Sequence, residues 1–259
     1  MCIIDYENKI ERTDLMQTFM LIMTTVFAFG FPIALMIYWK KRCNLTNFPF
    51  IMGSLCFLLF AMGLEQMLHA VVIGMENPIS ERINNTPWLY VLYGCLAAGI
   101  FEETGRYFGF SVLLRNYKEK EVSVAYGIGH GGIETIMTLG LTYGMLALVS
   151  LGVSLGDEQT SELLWKTINS AGAGEMCLAM LERVSAMMLH IGLSVLVFAA
   201  VRRGKKLLYP LAIVLHALSN ISAGLYQVGI LSNIILVEFI TFVCALCVLG
   251  GAVSLYRKM

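Results

Sequence analysis

Charge is scarce in this chain, and what there is cancels. Charged residues are 14% of the 259 and the formal net charge is zero, against about 25% charged in soluble domains. The basic residues stand in small scattered groups, so no continuous stripe exists to track a nucleic-acid backbone and no nucleic-acid partner is expected. A disulfide framework is absent as well: Cys56, Cys95, Cys177, Cys244 and Cys247 lie in or beside apolar runs, and Cys2 and Cys43 stand alone. The spacing Cys244-x-x-Cys247 falls inside an apolar run, where cysteine reads as a small apolar residue. A cleavable leader is not expected, because the first apolar run follows an acidic segment and is too long for one. H-E-x-x-H does not occur, and the G-x-S-x-G at 152–156 lies at the end of an apolar run and not inside it, so the common zinc-helix and serine-elbow hydrolases lose support. No repeat, low-complexity tract or long linker divides the chain. One integral membrane domain over 1–259 is the expectation.

Apolar residues take the place of charge: 58% of the chain is hydrophobic and its mean hydropathy is +0.73. A run of about 18 or more apolar residues spans a bilayer. Seven such runs are legible, at 15–39, 48–74, 88–114, 122–155, 176–201, 207–229 and 230–256. The expected fold class is all-α, a polytopic transmembrane bundle of about seven helices. Twelve basic residues flank alternate loops and the C-terminus: Lys40, Lys41, Arg42, Arg115, Lys118, Lys120, Arg202, Arg203, Lys205, Lys206, Arg257 and Lys258. The other loops hold Lys9, Arg12, Arg82 and Lys166 and carry Asp5, Glu7, Asp157 and Glu158. The positive-inside rule then predicts the N-terminus outside and the C-terminus in the cytoplasm.

Against this background, twelve ionisable residues inside the spans stand out: Glu65, His69, Glu102, Glu103, Arg106, His130, Glu134, Glu182, Arg183, His190, His216 and Glu238. A charge at mid-bilayer costs at least about 2.5–3.5 kcal/mol, so such groups face a cavity or pair with one another and mark function. Counted from the cytoplasmic ends, Glu103, Arg106, His130, Glu134, His190, His216 and Asn220 fall in one layer, roughly 13–21 Å deep. Glu65, His69, Glu182 and Arg183 fall toward the outer half, and Glu238 near an end from which it can reach the interface.

The spacings suggest chemistry. Glu102, Glu103 and Arg106 share a helix face, so the arginine can neutralise one carboxylate and leave the other as a general base for water; a structural ion pair reads from the same residues. Glycines surround His130 from Tyr126 to Glu134, which admits either a close helix contact or a substrate backbone, and Glu134 one turn on could orient the imidazole. His216 and Asn220, one turn apart, could donate to an oxyanion, or simply pack; His190 with Ser194 has the same ambiguity. A carboxylate among histidines also suits zinc, with Glu102, His130, His190 and His216 as the ligand candidates.

In order along separate helices, Glu102-Glu103-x-x-Arg106, Tyr126-x-x-x-His130 and Leu208-Tyr209-Pro210 before His216-x-x-x-Asn220 resemble the motifs of the CAAX protease and bacteriocin-processing superfamily. Gly129-His130-Gly131-Gly132-Ile133-Glu134, with Glu182-Arg183 and His190 on one helix, resembles its YhfC branch of glutamic-type intramembrane proteases. The resemblance covers roughly 88–225. It implies an integral protein of the bacterial cell membrane that hydrolyses a peptide bond in a membrane-embedded or membrane-associated polypeptide. It assigns Glu102 as base, with His130, His216 and Asn220 assisting, Glu103 and Arg106 beside it, and Glu134, His190 and Glu182 in support. Two residues rather than three separate Glu103 from Arg106, which leaves the choice between Glu102 and Glu103 open. No cofactor is expected unless zinc is used. Water is expected from the cytoplasmic side, and substrate to unwind against the glycines flanking His130. A non-catalytic scaffold, or a proton- or ion-coupled transporter, is the alternative use of the same polar layer.

Overall fold

A computed structural model describes residues 15–259; Cys2, Asp5, Glu7, Lys9, Arg12 and the predicted outside N-terminus lie beyond the described residues. Among those described there is no strand, and nine helices follow in order. They are α1 (Leu15–Cys43), α2 (Phe48–Val72), α3 (Pro78–Asn84), α4 (Pro87–Phe108), α5 (Glu121–Ser150), α6 (Glu158–Ser170), α7 (Ala173–Arg202), α8 (Leu208–Gln227) and α9 (Ile234–Arg257). Six are long and apolar enough to cross a membrane: α1, α2, α5, α7, α8 and α9. The other expected span, α4, runs on through a wide π-type segment at Gly109–Leu113 and is set apart by its own charges, Glu102, Glu103 and Arg106. The all-α membrane bundle expected from hydropathy is what forms.

Hydropathy gave no sign of α3 and α6, two short helices in the connections that carry few basic residues. Both begin on ordinary capping chemistry. The Asn77 side chain accepts from the backbone N–H groups of Ile79 and Ser80, with Pro78 at the first helical position, and Asp157 accepts from that of Thr160. The Thr160 hydroxyl and amide hold the exposed Asp157 carboxyl below the usual carboxylate range. Trp165 and Ile168 of α6 bury against Leu21 and Leu146, and the Gln17 side chain donates to the carbonyls of Ile168 and Ala171, so α6 covers the ends of α1 and α5 on that side.

The basic residues gather at the other end, where they tie helix termini together. The Trp39 indole donates to the Glu121 carbonyl, and Lys120 Nζ to that of Tyr256. Arg202 donates to the carbonyls of Phe110, Leu114 and Tyr117, groups a helix C-terminus leaves unpaired.

α7 is the central post and packs on α1, α4, α5, α8 and α9. α2 lies against α5, and α4 against α8. The α2–α5 contact is backbone on backbone: a Cβ at Gly53 would stand 2.2 Å from the Tyr126 carbonyl oxygen, and one at Gly129 would stand 2.0 Å from that of Phe50. Ser54 Oγ donates across the same seam to the Gly129 carbonyl (2.8 Å). The glycines around His130 are therefore taken up by neighbouring helices. Gly127 meets Ile191 and His190 of α7, Gly131 meets His190 and Met187, and Gly132 meets Pro32 of α1. Gly127 and Gly131 are thereby closed to a substrate, whereas Gly129 and Gly132 line a cavity of about 210 Å³ between α1, α2 and α5. π-type segments at Phe60–Glu65 of α2, Ile136–Gly140 of α5 and Gly109–Leu113 end on Glu65, follow Glu134 and follow Arg106, so each widening is at or beside an ionisable residue within a span.

Candidate active site

One turn of α4 carries the centre of the site. Arg106 is fully buried, and Glu103 receives its Nε at 2.9 Å on Oε2 and its Nη2 at 3.1 Å on Oε1, a two-pronged pair. The remaining guanidinium hydrogens reach α7: Nη1 donates to Ser194 Oγ (2.6 Å) and to the His190 carbonyl (3.2 Å), and Nη2 to His190 Nδ1 (3.2 Å). A guanidinium only donates, so His190 Nδ1 is an acceptor and the His190 proton is on Nε2. That nitrogen faces Glu134 Oε2 at 2.5 Å. His216 Nδ1 lies 2.8 Å from Glu103 Oε1. Since that carboxylate is bound to the guanidinium, the Nδ1–H donates and the Nε2 lone pair is left pointing into the site.

Glu102 stands at the centre of three imidazoles. His130 Nε2 is 2.9 Å from its Oε2, His190 Nδ1 is 3.9 Å from the same oxygen, and His216 Nε2 is 3.8 Å from Oε1. The rings pack on one another, with centroids 4.8 Å apart for His130 and His190 and 5.5 Å for His190 and His216. Phe57 meets His130 edge-on at 5.1 Å, and His130 Nδ1 is buried without a hydrogen-bond partner. Of the two adjacent carboxylates, Glu103 has no exposure and Glu102 retains 8%.

Most of the residues singled out in the sequence meet here: Glu102, Glu103, Arg106, His130, Glu134, His190 and His216. Others are placed differently from expectation. Glu134 does not orient His130; it pairs with His190 and with Arg183, whose Nη1 is 2.9 Å from its Oε1, while His130 turns to Glu102. Glu182 is paired with its neighbour Arg183 and reaches the site only through it. Asn220 lines a cavity of about 410 Å³ with His69 and Tyr93, a cavity that Glu102 does not line. Glu238, half-buried near the start of α9, has its Oε2 buried without a hydrogen-bond partner. Residues that spacing did not reveal include Tyr93, whose hydroxyl is 2.8 Å from His69 Nδ1, and Thr138, which accepts from Arg183. Both join the network across helices, and spacing within one helix carries no such signal.

The donor set suits zinc. Glu102, His130 and His190 bring ligand atoms within 4.8 Å of one another, and His216 offers Nε2 beside them. Glu103 behind His216 and Glu134 behind His190 are the outer carboxylates that typically orient metal-binding imidazoles.

A buried carboxylate ringed by histidines, inside a helical bundle with six apolar spans, is a donor set suited to hydrolysis within a membrane. The family model described as YhfC intramembrane metalloprotease matches residues 26–241. The chain is also 33% identical over 235 residues to the "Uncharacterized membrane protein YhfC" of Bacillus subtilis (strain 168), covering 87% of this chain and 91% of that protein. The chain belongs to the YhfC intramembrane metalloprotease family, and it is an integral membrane protein and an intramembrane protease. No solved structure matches it.

Proposed function

We propose that this intramembrane protease cuts a membrane-embedded or membrane-associated polypeptide by an endopeptidase reaction in which Glu102 activates the attacking water. One observation carries the assignment: Glu103 is fully committed to Arg106 and His216, whereas Glu102 retains exposure and is met only by imidazoles. This division also answers the shortened spacing to Arg106, since i, i+3 is the separation that lets the guanidinium close on Glu103.

Glu102 takes a proton from water as the water oxygen attacks the scissile carbonyl carbon. The carbonyl electron pair moves to oxygen, where the Nε2–H of His130, released as Glu102 takes up its proton, stabilises the oxyanion; the N–H groups of His190 and His216 are already given to Glu134 and Glu103. Collapse of the intermediate breaks the C–N bond, and the Glu102 carboxyl returns its proton to the departing amine. The products are a carboxylate and an amine. The Arg106–Glu103 pair fixes His216 through Nδ1, and Glu134 fixes His190 through Nε2, so neither ring has to reorganise during reaction.

A zinc-dependent version is supported by the Glu102, His130 and His190 cluster and by the family's description. Glu102, His130 and His216 would hold the ion, with His190 joining if it releases Arg106. Bound there, zinc would supply Lewis acidity toward the carbonyl and a more acidic water.

The test is Glu102→Gln in the purified full-length protein, assayed against a library of membrane-peptide substrates. Cleavage is expected to fall about 10²–10⁴-fold with folding retained. Full activity in Glu102→Gln would overturn the assignment. Elemental analysis of the active protein separates the two chemistries: stoichiometric zinc that disappears in His130→Ala assigns the metal, and full turnover in metal-free protein assigns the carboxylate alone.

A further inference from the structure

The polar layer is backed by apolar packing on one side and has a cavity beyond it on the other. Toward the basic end, the next turn of every contributing helix is closed by Phe110, Leu114, Tyr126, Leu193, Phe198 and Ala212, none more than 1% exposed. Arg202 then locks the carbonyls of Phe110 and Leu114 behind this plug. Hydrolysis consumes water, and the one side-chain hydroxyl among these six residues, on Tyr126, is turned to the Gly105 carbonyl. The expected route from the basic, predicted cytoplasmic, side is shut.

On the opposite side lies the cavity of about 410 Å³ between α2, α4 and α8, lined among others by His69, Tyr93, Gly94, Asn220, Ala223 and Gln227. It begins one turn beyond His216 on α8, at Asn220, and two turns beyond Glu102 on α4, about 10 Å along the axis. Its wall is ordered: Glu65, buried, bonds to His69 Nε2 at 3.2 Å, and His69 Nδ1 to the Tyr93 hydroxyl at 2.8 Å. Glu65 and His69 of α2 and Tyr93 of α4 thus form one hydrogen-bonded chain beside the cavity.

We infer that this cavity is the substrate vestibule, which admits water and a locally unwound peptide segment from the face opposite the basic loops. The inference rests on the protease reading above. An unwound stretch exposes backbone N–H and C=O groups that lipid cannot satisfy. Asn220 and Gln227 each present both a donor and an acceptor, and the His69–Tyr93 seam adds further polar atoms. The size is in the range of ligand-binding clefts. From the inner end of the vestibule, at Asn220, the peptide bond passes His216 to reach Glu102, and substrates are cut nearer the face that lacks the basic loops.

Two arms test this on the full chain in sealed membrane vesicles, one of them independent of activity. In the first, a membrane-impermeant charged methanethiosulfonate is applied to one face at a time and modification is read by mass spectrometry. Ala223→Cys should react only from the face opposite that which labels Lys205→Cys in the basic loop, and Ala212→Cys in the plug from neither. In the second, Gly94→Trp fills the cavity. A Cβ at Gly94 meets nothing within 4 Å, so the added ring enters open space. Loss of cleavage is expected, with Gly250→Trp, at an equally unobstructed position on α9, cleaving like wild type. An unreactive Ala223→Cys, one labelled from the Lys205 face, or labelling at Thr138→Cys in its place would overturn the vestibule. So would wild-type cleavage by Gly94→Trp. If the wild type itself cleaves nothing while Ala223→Cys labels as expected, it is the protease reading that fails and the accessible cavity that stands.

Discussion

α1 and α7 are equally apolar and occupy opposite places in the molecule. Both have a mean hydropathy of 2.2 over their most apolar stretch, yet 22% of that stretch is buried within the protein in α1 and 78% in α7. Hydropathy measures the cost of meeting water, and in a membrane neither lipid nor a neighbouring helix is water. What separates the two is where their polar groups bond. On α1, the hydroxyls of Thr24 and Thr25 turn back to the carbonyls of Met20 and Leu21 on their own helix. On α7, His190 and Ser194 receive Arg106 of α4, and Arg183 reaches Glu134 of α5. The central helix is held along its middle by bonds between helices; the peripheral one satisfies itself there and bonds to its neighbours from its ends, through Gln17 and Trp39.

The comparison is most severely tested at Arg106, which joins α4 to α7. Arg106→Ala leaves Glu103 buried without its cation and is expected to cost about 3–5 kcal/mol. The loss should appear as lower abundance and a lower thermal midpoint in detergent, together with loss of activity. Normal abundance and an unchanged midpoint would show that the α4–α7 network does not hold the centre together.

Glycines sharpen the contrast between centre and periphery. Gly129→Ala drives a methyl into the Phe50 backbone, where no side chain can yield, and is expected to cost about 1–3 kcal/mol or more. Gly250→Ala on α9 meets nothing within 4 Å and should be neutral, or stabilising by up to about 1 kcal/mol through helix propensity. Equal thermal shifts for the two would remove the distinction.

The smallest effect is expected at α6, outside the membrane. Because its partners at Thr160 hold the Asp157 carboxyl below the usual range, the cap's contribution is present above the ordinary carboxylate value and is lost as pH falls through the folded one. Hydrogen exchange at the amides of 158–161 should speed up over that acidic window, and Asp157→Ala should give fast exchange at every pH. A wild-type exchange pattern in the mutant would show that the cap does not hold α6.

Several features were settled by the sequence alone. Seven hydrophobic stretches, an all-α bundle, and a polar layer built from α4, α5, α7 and α8 follow from residue type and spacing, because a bilayer tolerates few structures and penalises each charge within it. The pairing of Arg106 with one carboxylate of an adjacent pair is likewise a property of helical periodicity. Only the tertiary structure decided which carboxylate that is, and it did so through His216 from another helix closing on Glu103. It also gave Glu134 to His190 rather than His130, turned Asn220 toward a cavity, and used the glycines around His130 for helix contact. Short amphipathic helices such as α6 escaped hydropathy because they bury only one face. The physical reason is common to all of these: periodicity fixes which side chains share a face of one helix, whereas partners and openings depend on how the helices are rotated against each other, and that is decided by packing.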